Sequence, residues 1–185
     1  MITKAPLDVH TNMPADNKTL TAISVLFFIL GSASFFAFSK GLGFPDYISS
    51  ASLVAGFICS IYFVYTLSSI KKTIIPITAT GFLIALSFVA SNLLFDFSPD
   101  ATGYHQDAIL ELTKNFDFLR SSLEGQAPLY TNNYPKLSWF YSSSVYELTG
   151  NIHYGKSINF LLFFSLWLSA HSALSQLPGI IRLIS

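Results

Sequence analysis

The sequence predicts an all-α integral membrane protein, with four transmembrane helices and an outside loop that carries two surface helices. Three observations predict it. Apolar residues make up 51% of the chain and charged residues 11%, about half the charged share of a soluble domain. The apolar residues fall into four charge-free runs, 19–39, 47–70, 73–95 and 157–181, each long enough at about 1.5 Å per residue to cross a hydrocarbon core of roughly 30 Å. The one long polar segment, 96–156, holds seven of the ten carboxylates and belongs in water. Formal charge is zero and Cys59 is the sole cysteine. No basic patch invites nucleic acid, and no disulfide framework or Cys-rich metal site can form.

Taken in order, residues 1–19 are polar, contain Pro6 and Pro14, and read as a disordered cytoplasmic tail. Residues 20–95 hold the first three helices. The first reads as an uncleaved anchor, because its apolar region begins late and runs long for a signal peptide. Gly31, Ser32, Ala33 and Ser34 lie mid-span, where small side chains let another helix come close. Gly41, Gly43 and Pro45 make a tight turn before the second run. Spans two and three form a hairpin that turns on Lys71-Lys72, with Pro76 near the start of span three, where a missing N–H costs little. Residues 157–181 are the fourth helix and 182–185 a truncated continuation.

Lys and Arg near the span ends set the orientation. Lys71 and Lys72 put their turn in the cytoplasm, together with Lys4, Lys18 and Arg182. Lys40 is a minor violation on the outside. The chain is thus expected to cross the cytoplasmic (inner) membrane four times, with both termini cytoplasmic and 96–156 outside.

Within that loop, Ser98-Pro99-Asp100 reads as a helix start, with Ser as cap, Pro in the first turn and Asp facing the positive dipole end. Tyr104, Ala108, Ile109, Leu112 and Phe116 follow at helical spacing. The predicted helix lies along the membrane with that stripe down and Asp107, Glu111 and Lys114 up. A second aromatic helix, 138–149, stops at Gly150.

This order of features resembles the GT-C membrane glycosyltransferases. The resemblance rests on a Pro99-Asp100 pair just after a span, Tyr104-His105, the stretch Asn133-Tyr134-Pro135-Lys136 with Trp139 behind it, and Gly155-Lys156 with Asn159 opening the next span. It covers about a third of the chain. Such enzymes transfer sugars from polyprenyl-phosphate carriers and continue through many more spans. The resemblance therefore implies the N-terminal part of such an enzyme, with the lipid bilayer, a polyprenyl-phosphate-linked sugar and further spans or subunits as partners. It also implies residue roles. Transfer needs a carboxylate to take the acceptor's proton and a cation to hold the departing phosphate. Asp100 would be the carboxylate, with Asp96 the rival. Lys136 would hold the phosphate, while Tyr104, His105, Tyr134 and Trp139 line the substrate.

Each role has a plainer counterpart. Asp100 serves equally well as a helix-start residue, Lys136 as an interfacial anchor, and the aromatics as membrane-interface packing. His105, Asp107, Asp96 and Asp100 form the one cluster with metal-ligating side chains. Its oxygen-rich set would suit magnesium or manganese better than zinc, but its spacing matches no metal motif and reads best as a solvated face. His171, inside the fourth run and facing Trp167 one turn back, reads as a neutral histidine hydrogen-bonded to a neighbouring helix. Two other functions compete with the transferase. One is a small non-enzymatic membrane subunit whose loop binds a protein or polysaccharide. The other, a transporter, would carry charges within its spans, and none of the four runs does.

Overall fold

The structure, a computed structural model, describes residues 16–94, 105–114 and 136–175. These are helical apart from short turns, with no strand among the described residues. The helices are α1 (Asn17–Gly41), α2 (Asp46–Ser49), α3 (Ser52–Leu67), α4 (Ile70–Leu93), α5 (Gln106–Lys114) and α6 (Leu137–Thr149), then a 3₁₀ turn (Ile152–Lys156) and α7 (Ser157–Ser175). Four segments are long and apolar enough to cross a membrane: Asn17–Gly41, Asp46–Leu67, Ile70–Leu93 and Ile152–Ser175.

Helix α1 is the axis of the bundle, and α3, α4, α6 and α7 all pack on it. Asp16 starts it by accepting the Thr19 N–H at 2.8 Å, the usual service of an N-cap carboxylate. Asp16 also ties α1 to the far end of α7, accepting from the Ser172 hydroxyl at 2.9 Å. Burial pushes the Asp16 carboxyl up, but hydrogen bonds from Thr19 and Ser172 and the charge of Lys18 outweigh it and hold the pKa below its usual value. This tie is therefore present above the ordinary carboxylate range and is lost as pH falls through the lowered pKa.

At its other end α1 stops in a turn that needs Gly43, whose φ of 72° favours glycine. The chain then reverses into α2 and α3. Of the small residues predicted to admit a neighbour, Gly31 and Ser32 do so, while Ser34 is exposed. A Cβ on Gly31 would lie 2.8 Å from the Cβ of Cys59, and one on Gly56 would lie 2.5 Å from the Phe28 carbonyl. Neither position has room for a side chain, so backbone meets backbone where α1 crosses α3. Beside this crossing the buried hydroxyls of Ser24, Ser60 and Thr80 join α1, α3 and α4 through contacts of 2.6 and 2.7 Å. Links of this kind contribute about 0.6 kcal/mol each between apolar helices.

The second apolar run does not form one helix. It breaks at Ser50-Ala51 into α2 and α3. The hairpin also turns earlier than predicted, on Ser68-Ser69, and Lys71 and Lys72 lie in the first turn of α4. Ser68 explains the shift. Its hydroxyl donates to the Val64 carbonyl at 2.7 Å and meets that of Thr73 at 3.1 Å, local bonds that compete with a continuing helix. Pro76 consequently lies a turn deeper in α4 than the sequence reading put it.

Helices α1 and α4 run one way and α3 and α7 the other. The Lys18 and Lys71-Lys72 region lies at one end of the bundle, and α2, α5, α6 and the 3₁₀ turn cap the opposite end. The outward faces of α3, α4 and α7 are apolar and exposed, with Ile58, Ile74, Phe82 and Leu166 among the residues on them. Faces of this kind suggest contact with a lipid bilayer.

The cap has two layers, and here the sequence reading needs correcting. Helix α6, expected on the surface, is the inner layer. Trp139, Tyr141, Ser142, Ser143, Ser144 and Val145 are all buried, and Tyr141 meets Phe28 of α1 edge to face, ring centroids 6.1 Å apart. Burial raises the Tyr141 phenol pKa, against a smaller opposing effect from its hydrogen bond with Ser157, so the hydroxyl stays neutral. Small serines let α6 sink this far. Gly155 lies so close that a Cβ there would come within 2.7 Å of the Ser142 Cβ. Helix α5 forms the outer layer. Its stripe of Ala108, Ile109 and Leu112 is buried as expected, but against Phe36 and Trp139 rather than lipid. The expected helix start at 98–100, and Tyr104 and Phe116 of the stripe, lie outside the described residues.

Candidate functional site

Helices α5 and α6 lie parallel. Their leading ends meet where the Trp139 indole N–H donates to His105 Nδ1 at 2.8 Å. Midway the Ser143 hydroxyl reaches the Ile109 carbonyl at 3.4 Å. Their trailing ends meet at Lys40. The cap thus has two corners with polar chemistry.

The leading corner contains three of the residues nominated from sequence. His105 and Trp139 are bonded, and Lys136 stands one turn before Trp139, at the N-cap of α6. The first N–H groups of α6 have no carbonyl within the helix, as at any helix start, so this end favours an anion. Accepting through Nδ1 sets the tautomer of a neutral His105, with its proton on Nε2. The rings stand edge to face at 5.8 Å. Trp139 is only 2% exposed, held among Phe36, Ala108, Ile109 and Leu112. Its indole has no open face for a sugar, contrary to the stacking role expected for it. What it offers is a fixed partner for His105.

Asp100, Asp96, Tyr104 and Tyr134 lie outside the described residues. Among the described residues no group of three His, Cys, Asp or Glu side chains comes together to hold a metal. His171 is exposed; its ring lies 5.8 Å from that of Trp167, and its Nδ1 accepts from Lys18 of the neighbouring α1 at 2.9 Å.

The trailing corner was not anticipated. Lys40, at the end of α1, extends under the cap and donates to Asp46 at 2.7 Å and to the Thr113 carbonyl, in the last turn of α5, at 2.9 Å. It also pairs with Glu147 of α6, whose other oxygen accepts from Ser49 of α2. The Lys40 and Glu147 side chains are 6% and 8% exposed. One ammonium group therefore joins α1, α2, α5 and α6. The only sequence hints are a lysine closing an apolar run and a lone glutamate in a serine- and aromatic-rich helix. Nothing local connects the two positions.

No protein-family model, curated protein or solved structure matches the chain.

Proposed function

We propose that the chain is a membrane glycosyltransferase of the GT-C type, or its N-terminal part. It would move a sugar from a polyprenyl-phosphate carrier to an acceptor on the outer side of the cytoplasmic membrane. The observation that carries this reading is the His105–Trp139 bond. Two residues 34 positions apart, nominated together from the sequence pattern, meet at one corner with Lys136 a turn away, and Asp100 is five residues upstream of His105.

In the proposed reaction the acceptor hydroxyl attacks the anomeric carbon and gives its proton to the Asp100 carboxylate. The bond from that carbon to the carrier phosphate breaks, and the phosphate leaves with the electron pair. Lys136 and the positive dipole end at the start of α6 meet the charge that develops on it. His105, held by Trp139, contributes a fixed donor, and Tyr104 and Tyr134 contact the substrate. The four apolar segments would be transmembrane helices. The Lys18 and Lys71-Lys72 end would face the cytoplasm, in keeping with the excess of basic residues there, and the cap would face outside.

Lys136 provides the test. Losing a hydrogen bond to a charged partner costs about 1.5–3 kcal/mol, so Lys136→Ala should lower transfer by about 10- to 150-fold, while Lys136→Arg keeps most of it. The measurement is sugar transfer in membranes of cells that carry the variant in place of the native chain, at matched protein level. Undiminished transfer by Lys136→Ala would remove the phosphate role and count against the reading.

A further inference from the structure

The trailing corner opens into a cleft of about 600 Å³ between α2, α5 and α6, within the size range of small-molecule sites. The reaction proposed above makes no use of it. Its floor is rigid. The Lys40 ammonium donates to Asp46 and to the Thr113 carbonyl and forms an ion pair with Glu147, which is held from the other side by Ser49. Its rim is open. The Asp46 side chain is 84% exposed with one carboxylate oxygen unengaged by the described residues. Tyr47 is 75% exposed, and Ser50, Leu110, Lys114 and half-buried Tyr146 also line the cleft.

The balance of charge narrows what such a cleft would bind. Among the described residues Lys40 and Lys114 offset Asp46 and Glu147, so their net charge draws in neither an anion nor a metal ion. Donors and acceptors alternate there with two tyrosine rings, each an apolar plate with a polar tip. A purely apolar ligand would strand the carboxylates. A ligand with many hydroxyls and no charge would satisfy the whole set. We infer that this cleft is a binding site for a neutral saccharide, separate from the leading corner and about 12 Å from it along α5. The inference does not depend on the transfer reaction. If that reaction is correct, the cleft is a place for the acceptor glycan.

The test uses the full chain in lipid nanodiscs, free of sugar-based detergent, and saturation-transfer NMR with free lactose, maltose, glucuronate and inorganic phosphate. Manganese(II) is tested separately by its paramagnetic broadening. At least one neutral disaccharide should receive saturation. Asp46→Asn, which still accepts from Lys40, and Tyr47→Ala, at an exposed position, should each weaken binding about tenfold without changing the helical circular dichroism. Lys136→Ala should leave sugar binding intact even if it abolishes transfer. The inference is overturned if neither neutral sugar binds, if binding survives both rim substitutions, or if only glucuronate, phosphate or manganese binds. Loss of sugar binding in Lys136→Ala would put the sugar at the leading corner and overturn it as well.

Discussion

Asp100→Asn is expected to lower sugar transfer by about 10²- to 10⁴-fold, the range for losing a positioned general base. Asn keeps the size and one hydrogen-bonding oxygen but neither accepts the proton nor carries charge. The amount of protein in the membrane should not change, because Asn serves a helix start as well as Asp does. Asp107→Asn is the matched control, since Asp107 is exposed on α5 and should cost little. Asp96→Asn is the informative rival. If Asp96 proves essential and Asp100 dispensable, the loop remains the site and the carboxylate changes identity. If neither substitution lowers transfer, the catalytic reading of the loop fails.

Glu147→Ala is expected to destabilise the folded chain by about 3–5 kcal/mol, the usual cost of removing one partner from a buried ion pair. The cause is less the lost attraction than the ammonium left behind. Lys40 would keep Asp46, but that carboxylate is largely exposed and solvent screens the pair. Two comparisons separate this mechanism from simple loss of packing. Lys40→Met combined with Glu147→Leu removes both charges and should recover most of the loss. Asp46→Asn should cost less than about 1 kcal/mol. Thermal unfolding in nanodiscs, followed by circular dichroism, reads all three. A double variant no more stable than Glu147→Ala would show that the pair acts through its shape and not its charge.

The features legible in the sequence are those that a short window decides. Hydropathy is a local property, so the four apolar segments and their approximate ends were readable, as were the stop at Gly150 and the stripe of Ala108, Ile109 and Leu112. The close approach at Gly31 and Ser32 was also readable, although its partner Gly56 was not. Boundaries slipped where side chains compete with the backbone. Ser68 moved the hairpin turn ahead of the lysines, and Ser50-Ala51 interrupted the second run. Features that depend on distant residues were out of reach. Aromatics among serines in α6 read as an interfacial helix, yet small serines facing α5 and Gly155 are what allow a helix to be covered on both sides. The same burial takes Trp139 away from any ligand and gives it His105 instead. Lys40 and Glu147 are linked only by the fold. One was read as an exception to a charge rule, the other as one acid among seven.

The claim beneath all of this is that the bundle crosses a membrane with the cap on the outer side. A reporter enzyme active only outside the cytoplasm, fused in turn after Gln126, at Lys72 and at the C-terminus, measures it directly. The account predicts activity for the Gln126 fusion and silence for the other two. Silence at Gln126 with activity at Lys72 would put the cap in the cytoplasm and contradict the account.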